Sequence, residues 1–146
     1  MCDIDEKNYD EKKLFLPILA VDFDGTLVEN DFPGIGKFNS DVVEAVMTYK
    51  MLGWKVILWS CRTGTMLEDA VKACAQIDLT FDAVNDNLPE VKSYFGENTR
   101  KVFANLYWDD RNAVLCIDND DGRELIASPL ILRENTVLSV DVDYGT

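Results

Sequence analysis

Asp22 and Asp24 stand two residues apart in the run Asp22-Phe23-Asp24-Gly25-Thr26, and a second acidic pair, Asp109-Asp110, lies far along the chain. Closely set carboxylates can attack an electrophile, carry a proton, or together hold a hard divalent cation. Between the two pairs come three further polar candidates, Ser60, Arg62 and Lys101. Asp, Gly and Thr are also ordinary turn residues, so the first pair alone defines nothing. The chain has no histidine, which excludes Ser-His-Asp, Cys-His and histidine-metal chemistry and leaves acid–base work to carboxylates, Lys, Tyr or Cys.

The candidates sit where apolar runs stop or, for Lys101, where one begins. Ile18-Leu19-Ala20-Val21 reads as a strand buried on both faces and delivers Asp22, with Gly25 free to turn sharply. Val28 to Phe38 reads as loop. Its Gly34-Ile35-Gly36-Lys37 is not a phosphate-binding P-loop, since Asp31 and Phe38 occupy positions that need Gly and Ser or Thr. From an N-cap at Asn39 or Ser40, the spacing of Val42, Val43, Val46, Met47 and Tyr49 predicts a helix that Gly53 ends. Trp54 to Trp59 is a second apolar strand, closing on Ser60-Cys61-Arg62-Thr63-Gly64.

Thr65 and Glu68 predict a capping box, and Leu67, Val71, Cys74 and Ile77 the buried face of the next helix. Phe81 to Val84 is a short third strand, a brief helix runs from Pro89 to Tyr94 or Phe95, and Val102 to Trp108 is a fourth strand that ends at Asp109. Alternating strands and helices imply parallel pairing with right-handed crossovers, hence an α/β Rossmann-like three-layer sandwich with a mainly parallel central sheet. Ligands bind such sheets at the carboxyl ends of the strands, where Asp22, Asp24, Ser60, Arg62, Asp109 and Asp110 fall, while Lys101 introduces the fourth strand.

The 146 residues suit a single domain: a lysine-rich acidic arm through Lys13, a core over 14–112, and a β-rich extension over 113–146. In the extension, Val114 to Ile117 and Glu124 to Ala127 predict a hairpin, and Leu130 to Val142 further extended chain. The turn Asp118 to Gly122 does not match an EF-hand loop and reads as a solvated turn. Asp141-Val142-Asp143-Tyr144-Gly145-Thr146 echoes the first acidic run, but Tyr144 interrupts it and no later motif follows.

Four scattered cysteines suggest neither zinc nor a disulfide framework, and the arm does not resemble a signal peptide, so the expected setting is reducing and cytoplasmic, away from membranes. A net charge of −13 without a basic cluster argues against nucleic acid as a partner.

Taken in order, Asp22 with Asp24, Ser60, Lys101, and Asp109 with Asp110 resemble the four motifs of the haloacid dehalogenase superfamily of phosphohydrolases over roughly Ile18 to Asn112. The resemblance implies an Mg2+-dependent phosphatase in which Asp22 attacks phosphorus to form an aspartyl-phosphate. Asp24 would protonate the leaving oxygen and later activate water, while its backbone carbonyl joins Asp22, Asp109 and Asp110 around the metal. Either Asp109 or Asp110 would bind directly and the other through water. Ser60 would hold a phosphate oxygen, and Lys101, preferred to Arg100 because the motif is a lysine, would pair with phosphate and Asp22. The physical logic agrees, since a carboxylate meets an anionic phosphate only with cations between them.

Arg62 offers a fork suited to phosphate or carboxylate, with a surface salt bridge as the equal alternative. Cys61 reads as a small buried loop residue rather than a reactive thiol. Asn85 and Asn87 either line the entrance or make Asx turns. Trp59 and Trp108 read as core or rim.

Members of this superfamily usually carry a cap inserted after the first motif or between the second and third. Here Leu27 to Asn39 holds a loop or small hairpin, and the stretch between Val84 and Arg100 a short helix, so the chain resembles a capless member. An open site admits a phosphorylated metabolite, a sugar phosphate or a polymer end, unless a homo-oligomer builds a lid. The Asp-Asp-Arg ending is similar to polynucleotide phosphatases, against which the net charge weighs. A non-catalytic metal- or phosphate-binding assembly module is the reading from a different class.

Overall fold

The computed structural model describes residues 17–117 and 125–129. The arm over 1–13, the turn at 118–122, the stretch Leu130 to Val142 and the second Asp-x-Asp run lie outside these residues.

Four short strands, β1 (Ile18–Val21), β2 (Lys55–Leu58), β3 (Ala83–Val84) and β4 (Leu106–Trp108), form an all-parallel sheet in the order β3-β2-β1-β4. Three helices link them among the described residues: α1 (Ser40–Met51), α2 (Gly64–Ala75) and α3 (Pro89–Phe95). This is the expected α/β Rossmann-like architecture. Side chains alternate across a strand, so each strand serves two cores. Leu19, Val21, Val56 and Leu58 pack with Val46 of α1 and Ala70 and Cys74 of α2 on one face. Ile18, Ala20 and Ile57 pack with Val91 of α3 on the other. β1 and β2 are buried on both faces, which is why they read as continuous apolar runs.

The topology also selects where a site can form. The chain steps outward from β1 to β2 to β3, then crosses back to place β4 on the far side of β1. The two crossovers through α1 and α2 lie on one face and the return through α3 on the other. The order therefore reverses between β1 and β4, and the crevice beyond the carboxyl ends of two such strands is the usual ligand position in a doubly wound sheet.

Several local readings change. The helix Thr65 was expected to start begins at Gly64, with Thr63 as an N-cap that makes no side-chain hydrogen bond, so the capping box does not form. Ile77 falls past the end of α2 and is exposed rather than buried. The fourth strand is confined to Leu106–Trp108, because side chains take the backbone groups that a longer ladder would use. Asn87 Oδ1 accepts the Phe103 N–H at 2.7 Å, and Tyr107 Oη accepts the Ala104 N–H and donates to the Val102 carbonyl.

After β1 the chain turns at Gly25, whose φ of 84° suits glycine, and Val28 bridges Phe38, so the stretch read as loop or small hairpin is a small hairpin. At its neck the Glu29 N–H donates to Lys37 O, and a Cβ on Gly36 would lie 2.0 Å from Glu29 O, so only glycine fits.

Past β4 the chain forms a second compact unit, Asp109–Thr146. Its described strands, β5 (Ala113–Ile117) and β6 (Leu125–Pro129), pair antiparallel as the expected hairpin.

Candidate functional site

In register, Val21 of β1 faces Trp108 of β4, and the Asp22 N–H donates to Trp108 O at 2.8 Å. Asp22 and Asp109 are thus the next residues beyond two paired strands. Asp22, Asp109 and Asp110 each offer a carboxylate oxygen, and these oxygens lie within 4.8 Å of one another. All three residues are half-buried. Thr26, almost fully buried, reaches Asp22 Oδ2 through a long 3.5 Å hydrogen bond. Asp109 Oδ1 accepts the Arg111 N–H at 2.9 Å, which closes the turn after β4.

Three carboxylates this close repel one another, and a divalent cation offsets that repulsion. The donor set is all hard oxygen, which suits Mg2+ or Ca2+ rather than a thiophilic metal. Their mutual spacing, within 4.8 Å, does not choose between these two ions. The Asp24 side chain is not in this cluster.

Asp24 instead faces Arg62. Nε and Nη2 of the guanidinium donate to Asp24 Oδ2 and Oδ1, both at 2.7 Å. Nη1 donates to the carbonyls of Pro33 at 3.1 Å and Met66 at 3.4 Å, and Nη2 to that of Gly34 at 2.5 Å. The ring centroids of Phe23 and Phe32 lie 5.1 and 5.2 Å from Cζ. A guanidinium has five N–H groups, and all five are taken within the protein.

Arg62 is 2% exposed, so its ion pair is internal and its fork is not presented to an incoming phosphate. This corrects both sequence expectations, the phosphate contact and the surface salt bridge. The hydrogen bonds it donates to Asp24 raise the guanidinium pKa above its ordinary value, with desolvation opposing.

Ser60 lies just beyond β2, and its Oγ accepts the Arg62 N–H at 3.1 Å. That bond is local turn chemistry, but it leaves the hydroxyl proton able to donate. Asn85, at φ 49°, braces the same loop: its Oδ1 accepts the Ser60 N–H at 2.7 Å and its Nδ2 donates to Arg62 O at 3.2 Å. Asn87 is almost fully buried and ties Asn98, Thr99 and Phe103 together, so it supports a loop rather than lining an entrance. Both asparagines were visible in sequence as turn residues, but nothing local to them names their distant partners.

Lys101 is exposed, with its ammonium 5.2 Å from the Tyr107 ring centroid. No ion pair joins it to Asp22 among the described residues, contrary to expectation. It precedes the segment pinned by Asn87 and Tyr107 and lies outside β4, so strand alternation does not orient it. Arg100 beside it is also exposed. Cys61, expected to be buried, is exposed. Trp59 and Trp108 are half-buried against the two cores, as expected.

No protein-family model matches the chain, and no curated protein does. Among solved structures, it is similar to a conserved protein of Bacteroides thetaiotaomicron, at 39% identity over 67% of this chain and 78% of that one, with a TM-score of 0.60. The chain belongs to the same family as that conserved bacterial protein. No described helix is long and apolar enough to cross a membrane.

Proposed function

We propose that the chain is a phosphomonoester hydrolase of the haloacid dehalogenase type, dependent on a divalent cation, with Asp22 as nucleophile. The observation that carries this reading is the meeting of Asp22 with Asp109 and Asp110 beyond β1 and β4. The Asp22 carboxylate attacks phosphorus in line with the leaving oxygen, the phosphorus–oxygen ester bond breaks, and an aspartyl-phosphate forms. Asp24, released from its ion pair with Arg62 and protonated from solvent, delivers that proton to the leaving oxygen, and the carboxylate so formed takes one from the attacking water. A bound cation supplies charge neutralisation between carboxylate and phosphate. Ser60 donates its hydroxyl proton to a phosphate oxygen.

The substrate is a phosphorylated metabolite, a sugar phosphate or a polymer end, and the acidity of the chain ranks nucleic-acid ends lowest. Mg2+ is the expected cofactor and the cytoplasm the expected compartment. The test is metal-dependent release of phosphate from p-nitrophenyl phosphate, abolished in Asp22→Asn. Metal binding without turnover across a broad panel of phosphate esters refutes the hydrolase.

A second reading, a non-catalytic metal- or phosphate-binding module, is favoured by one specific observation. Two of the three side chains expected to meet phosphate are engaged elsewhere, Arg62 with Asp24 and Lys101 with Tyr107. It predicts metal binding without turnover.

A further inference from the structure

We infer that Arg62 is a positioning residue that fixes the carboxylate of Asp24 and ties it to the hairpin between Val28 and Phe38. The inference rests on the reading of Asp24 as the proton-handling acid, and it goes beyond that reading in naming what holds the acid and what moves with it. Three elements converge on one guanidinium: the end of β1 through Asp24, the hairpin through the carbonyls of Pro33 and Gly34, and the start of α2 through the carbonyl of Met66. Among the described residues no other hydrogen bond or ion pair holds the Asp24 side chain, so the direction of both its oxygens is set by Nε and Nη2.

The same cation anchors the hairpin from within. Pro33 and Gly34 are exposed tip residues, and Phe32, 53% exposed, lays its ring near Cζ. The hairpin thus lies beside the acid because one buried residue binds both. Lysine cannot substitute, because a single ammonium carries charge without the planar fork that meets a carboxylate and three separate carbonyls together. Movement of Asp24 toward a leaving group loosens the hairpin, and displacement of the hairpin frees Asp24.

The test compares the wild-type chain with Arg62→Lys, Arg62→Gln and Asp24→Asn, by hydrogen exchange of the segment 28–38 and by steady-state turnover of p-nitrophenyl phosphate. Both Arg62 variants are expected to exchange the hairpin amides, the Glu29 N–H among them, about tenfold faster while β1 and β2 stay protected. They are expected to lose about 100-fold in kcat with KM changed less than about threefold, because Arg62 orients an acid and does not touch phosphate. Lysine is expected to rescue neither property.

A rise in KM at unchanged kcat would make Arg62 a substrate contact and overturn the inference, as would unchanged hairpin exchange. Should Arg62→Gln fail to fold, Asp24→Asn, nearly the same shape, must still speed hairpin exchange, and its failure to do so refutes the tether. A wild-type chain without turnover removes the phosphatase reading, and the exchange measurement then decides the tether by itself.

Discussion

The Asn85 side chain holds the loop of Ser60 at two points, accepting the Ser60 N–H at 2.7 Å and donating to the Arg62 carbonyl at 3.2 Å. Its own N–H continues the sheet by donating to Leu58 O, so β2, the Ser60 loop and the end of β3 are locked into one unit. Asn85→Ala deletes both side-chain bonds and places an alanine at positive φ. The expected cost is about 1–3 kcal/mol in urea unfolding. Asn85→Gly removes the bonds without the backbone strain, so the difference between the two variants isolates that strain.

A cation held by Asp22, Asp109 and Asp110 must stabilise the fold, since the unfolded chain does not assemble the cluster. At about 100 times its dissociation constant it contributes roughly 2.7 kcal/mol. Addition of Mg2+ or Ca2+ is therefore expected to raise the unfolding midpoint of the wild-type chain. In Asp110→Asn the rise should be largely absent. Calorimetry with and without metal makes the comparison, and an equal rise in both proteins moves the binding site elsewhere.

Asp86 and Lys92 pair at the approach to α3, where the lysine, foremost among its neighbours, lowers the Asp86 pKa below its ordinary 3.8. A depressed carboxylate pKa contributes stability that is present above 3.8 and is lost as pH falls through the folded value. Both side chains are more than a third exposed, so solvent screens the pair and limits it to at most about 1 kcal/mol. Lys92→Met should be less stable than wild type near neutral pH, and the gap should close in acid. A gap that is independent of pH assigns the effect to packing.

Cys74 and Cys61 should differ sharply toward iodoacetamide. Cys74, on the buried face of α2, lies in the core, and burial pushes its thiol up to about 12, while Cys61 is exposed beside Ser60. In the folded chain near pH 8, mass spectrometry should find Cys61 alkylated and Cys74 untouched until denaturant is added. Early labelling of Cys74 would show that the core opens locally.

The sequence by itself determined the elements that the apolar pattern controls. Ile18–Val21 and Lys55–Leu58 carry enough buried surface to be strands in any compact fold, and alternation with helices leaves a parallel sheet as the economical solution. That much places Asp22, Ser60 and Asp109 on one edge, because each follows the end of an apolar run. Register did the rest for the acidic cluster: with Val21 opposite Trp108, the next residue on each strand is an aspartate.

Only the tertiary structure decided what the remaining polar side chains do. Arg62 and Asp24 are far apart in sequence, and a guanidinium binds a phosphate or an internal carboxylate equally well. The choice was made by burial, which demands that all five N–H groups find acceptors inside the protein. The setting of Lys101 was decided in a related way, since Asn87 and Tyr107 take the backbone groups of residues 102–104 and keep that segment out of β4. Apolar periodicity is a property of neighbouring residues and can be read along the chain, whereas hydrogen-bond partners are chosen among groups that only folding brings together.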